Sequence, residues 1–289
     1  MLKKRIIACM TVKDNIVVQS IGFKQYLPVG RLAVAIEFLS QWGIDEIAIL
    51  DISATAEKRG PNFKLIAQAA KKCFTPLAVG GGIRDIADMR KLNQLGAEKI
   101  IINNLALSQG EIIKKAAEIF GSQFIVVSID AKKVGGTYEV FSDGGQKPIG
   151  LEVGVFARKV EQLGAGEIFL NSIDQDGSKK GFDLRLIDAV VSKVTVPVIA
   201  CGGAGEPDHF REAIIKTKAS AIAAGNFFHF TEHSPIVLKS FLKSTRVPVR
   251  LETYAQYNDA TFDRSGRLQK RPEQYLNTLR FTYLPEEII

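Results

Sequence analysis

The chain has 289 residues, 46% hydrophobic and 24% charged, which is ordinary globular usage and excludes a disordered chain, a fibrous repeat and a disulfide-stapled mini-protein. Its net charge of +7, from 38 Lys+Arg against 31 Asp+Glu, suits an anionic ligand or an acidic partner. The basic residues come as scattered pairs such as Lys71-Lys72 and Lys179-Lys180, with no aromatic-interleaved stripe, so nucleic acid is not an expected partner. No run of 18 apolar residues is free of charge, which argues against a membrane span.

Lys3-Lys4-Arg5 and the apolar run behind it resemble a signal peptide only briefly. The run ends at Lys13-Asp14 with no small-residue cleavage site, and it reads as a strand over 5–12. Further short, β-branched apolar runs follow at 46–52, 76–80, 98–103, 124–130, 167–173, 197–201 and 219–224. Amphipathic helical stretches lie between them at 32–42, 63–73, 86–95, 110–120, 153–163 and 184–191. Eight strands alternating with helices predict a parallel sheet with helices outside. Continuous rather than alternating apolar strands predict a sheet covered on both faces.

An internal repeat chooses between an open sheet and a barrel. Glu46-Ile47 recurs as Glu167-Ile168, and the segment from Pro76 to Gly82 recurs from Pro197 to Gly203, both offset by 121. Residues 97–103 recur at 219–225 with an offset of 122. Two half-barrels, about 1–123 and 124–251, predict a single α/β (β/α)8 TIM barrel, a fold of about 250 residues. Residues 252–289 are left as a C-terminal extension of net charge −1, so the first 251 residues carry +8. The aromatics of the extension (Tyr254, Tyr257, Phe262, Tyr275, Phe281 and Tyr283) either cover the barrel's own helices or dock on another protein.

Cys9, Cys73 and Cys201 are odd in number and far apart, a pattern that fits a reducing cytoplasm. His209, His229 and His233 share no ligand spacing with acids or cysteines and are expected on surfaces or loops, and Trp42 is expected to pack. Neither a metal nor a cofactor is expected.

In this fold chemistry sits at the C-terminal ends of the strands. Gly80-Gly81-Gly82 follows the third strand and Gly202-Gly203 the seventh. Glycine lets backbone N–H groups approach a phosphate, and the following helix N-terminus favours the anion. Two such loops on opposite sides, one adjoining Asn103 and Asn104, point to an elongated bis-phosphate; tight turns alone are the other explanation of the glycines. Asp51 and Asp130 end strands two and five, and Asp174 and Asp176 follow strand six. A carboxylate in a barrel mouth is partly desolvated and serves as general acid or base. Asp130 opposes Thr11, which has no proton to exchange at neutral pH. At the other end Arg5, Glu46, Lys99 and Glu167 each begin a strand. Two positive and two negative groups converging on one axis would neutralise one another as a ring, and from composition this reads as a structural plug.

These residues resemble one family. Lys4-Arg5-Ile6-Ile7, Leu50-Asp51-Ile52, Val79-Gly80-Gly81-Gly82-Ile83-Arg84, Ile129-Asp130-Ala131-Lys132, Asp174-Gln175-Asp176-Gly177 and Gly202-Gly203-Ala204-Gly205 are similar to the cyclase subunit of imidazole glycerol phosphate synthase, in order over residues 1 to about 251. The resemblance implies a glutaminase partner docked on the N-terminal face of the barrel. It also implies an ammonia gate at Arg5, Glu46, Lys99 and Glu167, and conduction along the axis to a phosphorylated small molecule. Phosphate or substrate binding is implied at Gly82, Asn103, Gly177 and Gly203, with Asp51 and Asp176 in the same mouth. Of the family's two acid/base aspartates only Asp130 is present, the other position being Thr11. A family lysine falls at Gln19, a threonine at Asn171, a Gly-Asp-Pro at Gly30-Arg31-Leu32 and a phosphate-contacting serine at Gly225-Asn226. Changes thus gather at the cyclase end while the gate is intact. That asymmetry resembles paralogues found with bacterial surface-polysaccharide genes, in which ammonia passes to a sugar amidotransferase. The alternative is a working cyclase that makes imidazole glycerol phosphate and aminoimidazole carboxamide ribotide.

Overall fold

The computed structural model describes residues 3–255, 257–276 and 278. Among them the strands are β1 (Arg5–Lys13), β2 (Ile16–Ile21), β3 (Gln25–Arg31), β4 (Glu46–Asp51), β5 (Leu77–Gly80), β6 (Lys99–Ile102), β7 (Ile125–Val134), β8 (Thr137–Ser142), β9 (Lys147–Glu152), β10 (Glu167–Ser172), β11 (Val198–Cys201) and β12 (Ala221–Ala224). The helices are α1 (Leu32–Gln41), α2 (Ser53–Ala56), α3 (Phe63–Ala70), α4 (Ile86–Gln94), α5 (Asn104–Ser108), α6 (Glu111–Phe120), α7 (Val153–Gln162), α8 (Leu184–Val191), α9 (Pro207–Lys216), α10 (Ser234–Ser244) and α11 (Glu273–Leu276).

Eight strands pair in parallel in the order β1, β4, β5, β6, β7, β10, β11, β12, and β12 pairs back to β1. The result is the closed (β/α)8 barrel that the alternating pattern predicts. Apart from the charged first residues and polar ends of some, its strands are mainly apolar on both faces because each faces two cores. Ile7, Ala48, Ala78, Ile101, Val126 and Phe169 fill the interior. Ile6, Met10, Ile47 and Ile49 face outward against Ile36, Leu39, Met89 and Leu92 of the surrounding helices. Each fully buried aliphatic of this kind contributes about 1.5–3 kcal/mol. Helix starts are fixed locally by side chains that accept free N–H groups: Asn62 for α3, Asp85 for α4, Glu152 for α7 and Asp183 for α8.

Two antiparallel hairpins, β2–β3 and β8–β9, rise from the ends of β1 and β7, which stand opposite each other in the ring. The apolar-run reading has no strands there and ends the fifth strand at 130, whereas β7 runs to Val134. Half-exposed, polar-rich segments such as Thr137–Ser142 lack a continuous apolar run. Their signal is instead the two-residue turn. Asp14-Asn15 and Gly135-Gly136 all take positive φ, the backbone of hairpin turns that match strand twist. Ile16 and Thr137 begin the second strands of this pattern at the repeat's own offset of 121.

The described residues from Thr253 to Leu268 pack along the outside of the barrel wall. Thr253 packs on Gly43, where an added Cβ would lie 2.2 Å from its Cγ2. His233, at the start of α10, hydrogen-bonds Tyr254 Oη through Nε2 at 2.7 Å and Tyr257 Oη through Nδ1 at 3.0 Å, with Trp42 edge-on at 5.7 Å. Phe262 stacks on Phe241 of α10 at 5.6 Å. A bridge between Phe262 and Leu268 closes a turn whose Ser265 carbonyl accepts the Asp208 N–H at 3.1 Å, at the first turn of α9. Tyr257 and Phe262 thus pack against the barrel's helices, whereas Tyr254 is 70% exposed and meets them only through His233. Tyr275 is exposed and stacks under Arg271, and Phe281 and Tyr283 lie outside the described residues.

Among the described residues, no helix is long and apolar enough to cross a membrane. His209 accepts the Gly205 and Glu206 N–H groups through Nδ1 before α9. His229 is half-buried and its Nε2 has no protein partner among the described residues, and burial lowers its pKa to about 4.

Candidate functional site

Side chains of a strand alternate between faces, and that period threads the singled-out residues onto interior files. Arg5, Ile7, Cys9 and Thr11 share one file, Lys99, Ile101 and Asn103 a second, and Glu167, Phe169 and Asn171 a third. Val126, Ser128 and Asp130 form the file on β7. The two ends of the barrel are thus connected through the same strands, about 20 Å apart along β1 at ~3.3 Å per residue.

At the lower end the structure brings Arg5, Glu46, Lys99 and Glu167 together in a closed cycle. Arg5 Nη1 donates to Glu46 Oε2 at 2.6 Å and Arg5 Nη2 donates to Glu167 Oε1. Lys99 Nζ donates to Glu46 Oε2 and to Glu167 Oε2, each at 2.8 Å. The carboxylates are buried, 2% and 4% exposed, so the pairing is what makes their charge tolerable there. Burial alone would lower the Arg5 pKa, but the charges and hydrogen bonds of Glu167 and Glu46 outweigh it and hold the guanidinium above its ordinary value.

At the upper end a cavity of about 640 Å³ opens, lined among others by Thr11, Asp51, Asn103, Asp130, Asp176 and Gly203. Asp130 is its chemical centre. Asn171 Nδ2 donates to its Oδ1 at 2.8 Å and Asn103 Nδ2 to its Oδ2 at 3.2 Å. The same carboxamides reach Ser128, through its Oγ at 3.1 Å and its carbonyl at 3.0 Å. Burial pushes the Asp130 pKa up to about 6, against the hydrogen bonds from Asn171 and Asn103 that favour the ionised form. Such a carboxyl exchanges a proton near neutrality, which a general acid or base requires. Thr11 stands on β1 and Asp130 on β7, opposite each other across the ring, and both line the cavity. Below them the neighbouring Cys9 thiol and burial together raise the Cys201 thiol well above its ordinary range.

The remaining carboxylates are engaged. Asp51 is held bidentately by Arg59, at 2.8 and 3.1 Å. Asp176 accepts Ser20 Oγ at 2.6 Å and Phe23 N–H at 3.1 Å, fastening the β2–β3 hairpin over the mouth, and burial raises its pKa. Asn226 clamps the same hairpin through both main-chain groups of Ser20. Asp174 accepts the Lys133 N–H at the base of the opposite hairpin.

The loop glycines answer to backbone as well as to any ligand. Gly82 and Gly203 have φ of +71° and +108°, values that side-chain-bearing residues rarely adopt. A Cβ on Gly203 would lie 2.0 Å from the Gly181 carbonyl, and one on Gly177 2.6 Å from the Ser20 carbonyl. Asn103 points its carboxamide inward to Asp130, leaving only its main chain toward the Gly82 side. Sequence reasoning did not identify Arg59, Ser20 and Asn226 as partners of the mouth. The period-two files carry the signal that joins Asn103, Asn171 and Asp130. Among the described residues no cluster of three or more His, Cys, Asp or Glu is placed to hold a metal ion.

The sequence profile of the histidine biosynthesis protein family matches residues 5–234, spanning nearly the whole barrel. The chain belongs to this family. It is 43% identical over 267 residues to a Vibrio vulnificus protein provisionally named imidazole glycerol phosphate synthase subunit hisF2, covering 92% of this chain and 98% of that one. It is 44% identical over 252 residues to the imidazole glycerol phosphate synthase subunit HisF of Pyrococcus furiosus, covering 87% of this chain and all of that protein. The chain is therefore a HisF-like barrel of the imidazole glycerol phosphate synthase subunit type. The Vibrio alignment is the longer by 15 residues, and 267 residues exceed the 251 assigned to the barrel, so it takes in part of the extension.

Proposed function

We propose that this chain is the barrel subunit of a glutamine amidotransferase complex. A glutaminase docks on its N-terminal face, and the ammonia released there passes the Arg5–Glu46–Lys99–Glu167 ring and travels along the barrel axis. The acceptor is a sugar amidotransferase of surface-polysaccharide synthesis. The observation that carries this reading is the pairing of an intact four-charge ring with Thr11 across the mouth from Asp130. A subunit that conducts ammonia needs the ring, whereas cyclisation loses one of its two acid/base groups, typically worth ~10²–10⁴ in rate. A phosphorylated small molecule fits the mouth at Asn103, Gly177 and Gly203, beside Asp51 and Asp176, with Gly82 lining the smaller cavity next to it.

A second reading, a working cyclase, draws on the full-length match to the Pyrococcus subunit and on the near-neutral Asp130. One assay decides. The protein is purified with its glutaminase, and cyclisation is measured with ammonium salts and with glutamine. Little or no cyclisation in either is expected, and robust ammonia-dependent turnover overturns the first reading. Thr11→Asp is expected to raise cyclisation at least tenfold over the native chain, on the order of a general acid/base contribution; no gain means that Gln19 and Asn171 have carried the pocket beyond a one-residue repair.

A further inference from the structure

We propose that the C-terminal extension is a strap that positions the anion-binding loop after β11. The inference rests on the phosphate reading of Gly203 given above.

The loop from Gly202 to Gly205 joins β11 to α9, and two of its glycines stand at positive φ, +100° and +108°. Such a segment has wide conformational freedom unless its ends are fastened. On one side Gly181 N–H donates to the Gly203 carbonyl at 2.9 Å. On the other side the loop enters α9, whose start is built from two sources. Within the barrel, His209 Nδ1 accepts the N–H groups of Gly205 and Glu206, at 3.2 and 3.3 Å. From the extension, the Ser265 carbonyl accepts the Asp208 N–H at 3.1 Å, and Arg267 Nη2 donates to Glu206 Oε1 at 3.1 Å.

The extension reaches this place by a firm route. Thr253 on Gly43, the Tyr254–His233–Tyr257 bonds and Phe262 on Phe241 fix the segment along α10. The turn itself has almost no slack: a Cβ on Gly266 would lie 2.8 Å from Phe241 Cε1 and from Pro207 Cβ. Asp263 closes it by accepting the N–H groups of Ser265 and Arg267, each at 2.9 Å.

The distribution of N–H groups shows what the strap accomplishes. With those of Gly205, Glu206 and Asp208 engaged, the N–H groups of Gly203 and Ala204 are left without a protein partner among the described residues, and both residues line the mouth cavity. His209 and the strap together withdraw the α9 start from anion binding, the strap taking the Asp208 N–H, and leave a two-donor cradle held in place. A cradle ordered in advance binds more tightly than one that must be ordered by its ligand. Among the described residues no segment of the extension braces the Gly82 loop, which supplies an internal control.

The test uses full-length, isotope-labelled protein titrated with inorganic phosphate, followed residue by residue through backbone amide signals. In the native chain the amides of Gly203 and Ala204 and those of Gly82 and Asn104 shift with their own dissociation constants. Gly266→Leu, which levers the turn off α9 and α10, is expected to weaken phosphate at Gly203 and Ala204 about tenfold, leaving Gly82 and Asn104 within about twofold. Arg267→Met keeps the turn and is expected to weaken the same loop about two- to threefold, as befits an exposed ion pair, with rescue by Arg267→Lys. Equal weakening at both loops, or none at either, overturns the strap. A native chain whose Gly203 and Ala204 amides ignore phosphate overturns the phosphate reading, and this inference with it, before any variant is made.

Discussion

The two ends of the barrel interior handle charge in opposite ways. At the lower end two cations and two carboxylates form a cycle in which each carboxylate meets both a guanidinium and an ammonium. At the mouth Asp130 meets only neutral donors, the carboxamides of Asn171 and Asn103. The residues belong to the same interior files, so strand geometry does not separate them. Partner chemistry does: each lower carboxylate faces full counter-charges, whereas at the mouth neutral hydrogen bonds only partly offset burial and leave Asp130 able to take up a proton near pH 6. One end of the barrel balances full charges against one another, and the other holds a single carboxyl among neutral partners.

Breaking the lower cycle should have the largest effect. Glu167→Ala leaves Arg5 and Lys99 sharing Glu46 alone, and the expected loss of stability in urea unfolding is about 3 kcal/mol, the scale of a disrupted buried ion pair. A loss below about 1 kcal/mol would mean that the ring behaves like a surface pair and that the contrast between the ends is not one of burial.

Asp130→Asn sharpens the other side of the comparison through pH. The folded-state pKa of Asp130 lies above the ordinary carboxyl value, so the folded chain holds the proton while the unfolded chain has released it. Stability from this group is complete below about pH 4, falls as pH rises to about 6, and stays low above. The asparagine variant has no such loss. Relative to the native chain it should gain roughly 2–3 kcal/mol between pH 4 and pH 7, read as the difference of unfolding midpoints at the two pH values. A gain independent of pH would place the effect in packing. The smallest effect belongs to Lys216→Ala, which removes an exposed pair with Glu212 on α9. It should shift stability by no more than about 0.5 kcal/mol and still less in high salt.

Much of this was legible in the sequence because the barrel strands are unbroken apolar runs and the halves repeat. Arg5, Glu46, Lys99 and Glu167 could be grouped because each begins such a run. The hairpins were not legible from apolar runs, since β2 and β8 owe their place to backbone turns and to packing over the mouth. The environment of Asp130 escaped for a different reason. Asn171 and Asn103 donate to it from separate strands, and a contact across strands shows in sequence only after the interior files are counted. Arg59 escaped because it lies in a loop, where no period assigns a side chain to a partner. Of the two open readings of the extension's aromatics, covering the barrel fits Tyr257 and Phe262, which lie on His233 and Phe241, while Tyr254 and Tyr275 stay exposed.

The two hairpins have a consequence for how the protein keeps to itself. In each, the outer strand pairs on one side only among the described strands, β3 with β2 and β9 with β8, and so leaves its other edge bare. A bare edge can template pairing with another chain and seed aggregation. Both edges carry the same interruption, Pro28-Val29-Gly30 in β3 and Pro148-Ile149-Gly150 in β9. Proline removes a donor from the ladder and glycine weakens the strand as a docking partner. Closing the barrel through β12 and β1 removes both edges of the eight-stranded sheet, and at the two edges that the hairpins reintroduce, both halves of the repeat bear the same guard against self-association.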